Sequence, residues 1–386
     1  MHEEMGSAKT SVTAAALKVV IVIALWGDEF IDKFFQVSLP TLLAAGNLPA
    51  VVNLVPCRFL IVTSQGDILR LKSDPLFLQL SKLLQVNFAT LNPGEERYRA
   101  LSQAHMIAAQ SAIENEEAAI FFSPDAIIAD GGLSHVIGMA LQGCRAVMCT
   151  GLRLVEEAMM PLLLAMPRGE NGALTLTPRE MTKIALANFH PEIEQYVWGS
   201  RNFTRFPHLC MWRGPERDGF LLRAFHLHPL LVNFSGVSGI IDFERSTIDG
   251  DFVGQIIGRW SDIGVVDDSD DVSVYSLTPS DQRHKYRTYG PSNEDGLRAM
   301  AYSHHVNPLH RFYFTRAIRI HSEDTSDQWV KLEEETGRVA YRALDLNMGK
   351  RFDAIIQQMS GRDLVQALTE RIYRKLKLSS SSGQPR

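Results

Sequence analysis

Four sets of residues have the types and spacing to do chemistry. Asp125 stands in IFFSPDAIIAD, just past an apolar run that reads as a strand. In open α/β sheets ligands bind beyond the carboxyl ends of strands. A single carboxylate there can hold a divalent cation or a ribose hydroxyl, or it can simply cap the turn after Pro124. Asp130, before two glycines, fits a turn. The second set is His226 and His228 in FHLHP. Two residues apart on a strand, they project to the same face and make half of a metal site, or a solvated pair. Phe225, Leu227, Leu230 and Leu231 around them suggest a central strand, where imidazoles without partners are costly.

The third and fourth sets are acidic: Asp249 and Asp251 in TIDGDF, then Asp267, Asp268, Asp270 and Asp271 in VVDDSDDV. Each holds an i,i+2 carboxylate pair. Such groups repel and titrate high unless a cation compensates, and their oxygens suit Mg²⁺, Mn²⁺ or Ca²⁺. The competing reading is a solvated acidic loop. The EF-hand pattern does not fit. The apolar IGVV before the second run puts it at a strand end, and the His pair and both Asp sets crowd into Phe225–Asp271. A basic group follows: Arg311, Arg316, Arg319 and His321. Arg316 and Arg319 can reach a diphosphate from one side of a cleft, or lie salt-bridged on a surface strand.

These residues need a scaffold. Val19–Leu25, Arg58–Thr63, Gln85–Thr90, Ala118–Phe122 and the segment RAVMCTG read as strands. Between them come helical patterns, including Glu95–Asn115 and Leu133–Gln142. Alternation of this kind predicts an α/β fold: a mostly parallel, helix-covered sheet. A helix from Phe30 is expected to end at Pro40. The second half is mixed: a helix over Pro178–Phe189, one or two strands in GFLLRAFHLHPLLVNF, a turn-rich loop over Gln282–Asn293, and helices over Thr325–Leu344 and Lys350–Leu378. The expected organisation is a disordered start (1–15), an α/β half (16–165), a half that completes the sheet (166–345), an amphipathic C-terminal helix (346–378) and a polar tail (379–386).

Several classes are disfavoured. The 386 residues carry 39 Lys+Arg against 44 Asp+Glu, so no basic excess points to nucleic acid. Cys57, Cys144, Cys149 and Cys210 show no CxxC spacing and read as reduced thiols of a cytosolic protein. The run ending at Trp26 is interrupted by Lys18; it is too short to span a membrane and lacks signal-peptide flanks. The expected compartment is the cytoplasm. WGDEF after the first strand is not GxGxxG, and no Walker A, GxSxG or HExxH motif occurs. The GDEF tetrapeptide opens a helix and reads as chance.

The order of elements from Val19 to Asp271 resembles that of GT-A type glycosyltransferases. A first strand ends, at Trp26, in a small turn where the nucleotide would bind; a second ends in Thr63; a long helix leads to a strand followed by Asp125. The resemblance implies a GT-A-like fold and transfer of a sugar from a nucleotide-diphospho-sugar to an acceptor hydroxyl. It implies Mn²⁺ or Mg²⁺ held by Asp125 with His226 or His228. Asp249, Asp251, Asp268 or Asp270 would be the base, with Trp26, Thr63, Arg316 and Arg319 around the nucleotide. SPDA departs from the family's Asp-x-Asp, because Ser123 takes the first acidic position. Two other classes compete: a metal-dependent hydrolase built on His226, His228 and the Asp sets, and a non-catalytic binding protein on the same fold. The last helix, with Ile355, Ile356, Met359, Leu364, Leu368 and Ile372 on one face and basic residues at its end, can dock on the inner face of a membrane or pack on its own domain.

Overall fold

The computed structural model describes residues 17–94, 97–238, 250–282 and 289–344. Its strands in chain order are β1 (Val19–Ala24), β2 (Cys57–Thr63), β3 (Gln85–Thr90), β4 (Ala118–Phe122), β5 (Ala126–Ile128), β6 (Ala146–Cys149), β7 (Leu152–Val155) and β8 (Phe203–Thr204). They continue with β9 (Leu209–Arg213), β10 (Gly219–Ala224), β11 (His228–Asn233), β12 (Ile263–Val265), β13 (Val274–Thr278), β14 (Tyr289–Gly290) and β15 (Ile318–His321). Seven form one sheet in the order β12-β6-β11-β4-β1-β2-β3. Six run parallel; β11 alone is antiparallel to its neighbours β4 and β6. This is the mainly parallel, helix-covered sheet of an α/β fold.

β1 shows why the sheet is central. All its residues are buried. Val20, Val22 and Ala24 point into one core, Val19, Ile21 and Ile23 into the other. A strand covered on both faces must be apolar at every position rather than at alternate ones. The Arg97–Asn115 helix covers the first face with Ala104, Ala108 and Ala112; small side chains there let the helix lie close to the sheet.

Two smaller three-stranded sheets complete the frame, β5-β13-β7 and β15-β10-β9. The second packs on the Asp327–Ala343 helix through a third core that includes Trp212, Leu221, Phe225 and Trp329. Arg223 of β10 is buried within this contact. Its guanidinium donates to Thr336 Oγ1 and to the carbonyls of Thr315 and Glu333.

Local structure departs from the sequence expectations at three places. Pro40 does not end its helix. The chain stays helical from Asp28 to Leu42 through a wider π-turn at Phe34–Ser38, and Pro40 sits in the first turn of the Leu39–Leu42 segment, where a missing N–H is tolerated. FHLHP is not one strand: β10 ends at Ala224 and β11 begins at His228, in a different sheet. The Gln282–Asn293 segment holds β14, paired with β8. The expected helix over Lys350–Leu378 lies outside the described residues. Among the described residues no helix is long and apolar enough to cross a membrane.

Candidate functional site

The large sheet delivers several chains to its carboxyl edge. β12 leaves it at Val265, and Val266 is still held by a hydrogen bond to the Met148 carbonyl, 2.9 Å. The next residues turn alongside β15. Asp268 forms a single parallel bridge with Arg319. The Arg319 N–H donates to the Asp267 carbonyl (2.8 Å), and the Ser269 N–H donates to the Arg319 carbonyl (2.9 Å). Ser269, buried, closes the arrangement: its hydroxyl accepts from the His321 N–H at 3.0 Å and donates to the His321 carbonyl at 3.3 Å. Arg319 and His321, two apart on β15, therefore face the same carboxylate.

That carboxylate is Asp268. Its Oδ1 accepts from the Asp270 N–H (2.9 Å) and from His321 Nε2 (2.8 Å). Arg319 Nη1 lies 3.8 Å from its Oδ2. Burial pushes the Asp268 carboxyl up, but the hydrogen bonds from His321 and the Asp270 N–H outweigh it and hold the group below the usual carboxylate range. The bond to Asp268 raises the His321 pKa against the effect of burial, so the imidazolium is the favoured partner here. Asp270 is more exposed, with its side chain held by Arg179.

One donor atom each from Asp268, Asp270 and His321 lies within 4.8 Å of the other two. Two carboxylates and an imidazole fit a divalent cation, Mn²⁺ more readily than the all-oxygen-preferring Mg²⁺. The His321 Nδ1 sits 2.7 Å from the Glu323 carbonyl, which can only accept, so Nδ1 carries a proton; a cation would take Nε2 in place of the proton that Nε2 donates to Asp268. Among the described residues this is the one such group.

The other anticipated residues fall into three places. Arg319 and Arg316 join the cluster: Arg316 Nη2 stands 4.0 Å from Asp267 Oδ2. Trp26, Thr63 and Asp125 lie along the same carboxyl edge, at the ends of β1, β2 and β4. Trp26 is half-buried and Thr63 fully buried. The Asp125 carboxylate accepts from the Ser123 hydroxyl, and its carbonyl accepts from the Leu277 N–H. At the other end of the β5–β13 ladder the Ala129 N–H donates to Ser273. Four residues of strand, ~13 Å at the usual rise, separate Asp125 from the level of Ser273, which follows Asp270 by three residues.

The histidines form the third place. His226 precedes β11, and its ring lies edge-on to that of His310 with centroids 4.2 Å apart. Burial and then the His310 ring push its pKa down to about 3. His310 Nδ1 accepts the Asn307 N–H, so its Nε2 bears the proton. His228 is exposed at the start of β11, across from Cys149. Its ring covers Gly151 so closely that a Cβ there would lie 2.6 Å from Cδ2. Asp249 lies outside the described residues, and Asp251 is in the Gly250–Ile256 helix. In the sequence Asp268 and Asp270 stand at a strand end, whereas His321 appears only as part of a basic run, its two-residue spacing from Arg319 being the one signal. Arg179 carries no such signal.

No family model matches the sequence, and no curated protein matches it. Among solved structures, TarS from S. aureus aligns over 86% of this chain and 44% of its own, at 9% identity and a TM-score of 0.30. A protein assigned as a glucose-1-phosphate thymidylyltransferase, from Bacillus anthracis in complex with a sucrose, aligns over 36% of this chain and 55% of its own, at 13% identity and a TM-score of 0.25. The chain thus spans about half the length of each. Likeness at this level carries no argument about function.

Proposed function

We propose that this chain is a divalent-cation-dependent glycosyltransferase that takes its sugar from a nucleotide-diphospho-sugar and passes it to an acceptor hydroxyl. The observation that carries this reading is the Asp268–Ser269–Asp270 turn with His321, set at the carboxyl edge of a mainly parallel sheet. Ligands bind at such edges, and one or two carboxylates together with substrate phosphates are a common donor set for such a cation.

Asp268, Asp270 and His321 would hold Mn²⁺ or Mg²⁺, which supplies positive charge to the departing diphosphate. Arg316 and Arg319 assist on the same phosphates by charge-assisted hydrogen bonds. Trp26 and Asp125, along the edge, bind the nucleoside, Asp125 through a ribose hydroxyl. Asp267 is half-exposed beside Asp268 and takes the proton from the acceptor hydroxyl as the new bond forms. Asp268 and Asp270 thus serve as ligands rather than as the base.

Incubating the protein with UDP-, GDP- and CMP-linked sugars, with Mn²⁺ or with EDTA, tests the reading. Metal-dependent release of one nucleotide, faster with a hydroxyl acceptor, is expected. Metal-dependent cleavage of phosphate esters with every nucleotide-sugar left intact would instead make the same cluster a hydrolase site.

A further inference from the structure

We propose that Arg179 is a built-in counter-ion of the metal site: its guanidinium neutralises Asp270 while no cation is bound, and it transfers to Asp324 when a divalent cation enters. The inference rests on the metal reading of Asp268, Asp270 and His321 and concerns how the site's affinity is set.

Arg179 is the second residue of the Pro178–Ala187 helix, and its backbone is firmly held. Thr177 and Glu180 form a reciprocal capping box, and Pro178 fixes the first helical position. Thr182, fully buried, shares hydroxyl contacts with Ser273 (3.1 Å) and Tyr275 (3.2 Å). Ser273 follows Asp270 by three residues, so helix and ligand turn are joined through the core. The side chain, by contrast, reaches solvent: it is 43% exposed.

The guanidinium is divided between two carboxylates. Nε and Nη2 hold both oxygens of Asp270, at 3.1 and 2.9 Å. Nη1 holds Asp324 at 2.7 Å. Asp324 is 90% exposed and is not one of the grouped donors. A divalent cation arriving at Asp270 would repel the guanidinium already seated there, since like charges a few ångströms apart repel. Asp324 offers the displaced guanidinium a partner it already touches, so the exchange needs a side-chain rotation and no movement of the helix. Lys183, one turn further along, faces Glu323 at 4.0 Å instead and does not compete for Asp270.

The test is calorimetric titration of the full chain with Mn²⁺ alone, comparing wild type, Arg179→Gln, Asp324→Asn and the double variant, with Asp268→Asn as the ligand control. Arg179→Gln is expected to bind Mn²⁺ about tenfold more tightly, because a competing positive charge has gone. Asp324→Asn should bind roughly two- to fivefold more weakly, and the double variant should match Arg179→Gln. Equal melting temperatures across the set would exclude a folding effect. Saturable binding that Asp268→Asn abolishes and Arg179→Gln leaves unchanged overturns this inference and leaves the metal reading intact. An Asp324→Asn effect that persists without Arg179 overturns it too. Failure of both wild type and Arg179→Gln to bind Mn²⁺ overturns the metal reading, and the inference with it.

Discussion

Asp268 accepts two hydrogen bonds at one oxygen, from an imidazole and from a backbone N–H, so its carboxylate is aimed before any ligand arrives. The other oxygen faces Arg319. Pre-aiming of this kind lets a short acidic run act as a site rather than as a solvated loop. Asp268→Asn and Asp270→Asn keep the shape of each side chain and remove its charge. Each should lower nucleotide-sugar turnover by about a hundredfold or more, with a melting temperature within a few degrees of wild type. Turnover unchanged in both would remove the cluster from the chemistry.

The site is only as precise as the junction of β10, β15 and the Asp268 turn. Gly219 pairs directly with His321, and a Cβ on it would meet the Ile320 carbonyl oxygen at 1.9 Å. Gly219→Ala should therefore push β15 aside, costing roughly 2–4 kcal/mol of stability and weakening Mn²⁺ binding by moving His321; chemical denaturation and metal titration of one preparation read both. Arg223→Met, towards the other end of β10, removes three hydrogen bonds, to the Thr336 hydroxyl and to the Thr315 and Glu333 carbonyls, and should cost about 3 kcal/mol in denaturant unfolding without removing a residue of the cluster. This junction also explains what the sequence disclosed. β1 and the alternation of strands and helices were legible because a sheet covered on both faces leaves continuous apolar runs. Asp268 and Asp270 were legible as an i,i+2 pair after IGVV. His321 was not, because it reaches Asp268 across 53 residues through a one-residue bridge that leaves no periodic trace. FHLHP misled because a chain leaving one sheet for another keeps the apolar character of both. Pro40 misled because a π-turn absorbs it.

Across the whole molecule, the sheet gathers Trp26, Asp125, His228 and Asp268 at one edge, while its interior holds ionisable groups in their neutral forms. His105, on the Arg97–Asn115 helix against Phe121, is pushed by burial to a pKa of about 4, and His226 to about 3. Both folded values lie below the unfolded value near 6.5, so the unfolded chain binds more protons in acid. Through these two rings stability should fall by up to about 1.4 kcal/mol per pH unit each as the pH drops from 6.5 toward 4, whereas His321, raised in the fold, adds stability that is lost as the pH rises above 6.5. His105→Gln should flatten that slope in urea unfolding measured across the range, and an unchanged slope would place the acid sensitivity elsewhere. The central claim is that a cation at Asp268, Asp270 and His321 joins this edge to a nucleotide diphosphate. Titration of wild type and Asp268→Asn with UDP, GDP and CMP-sugar ligands, in Mn²⁺ and in EDTA, tests it most directly. The account predicts saturable binding of one nucleotide by the wild type in Mn²⁺, and none in EDTA or in Asp268→Asn. Nucleotide binding that is equal in EDTA and in the variant, or absent from the wild type altogether, would contradict it.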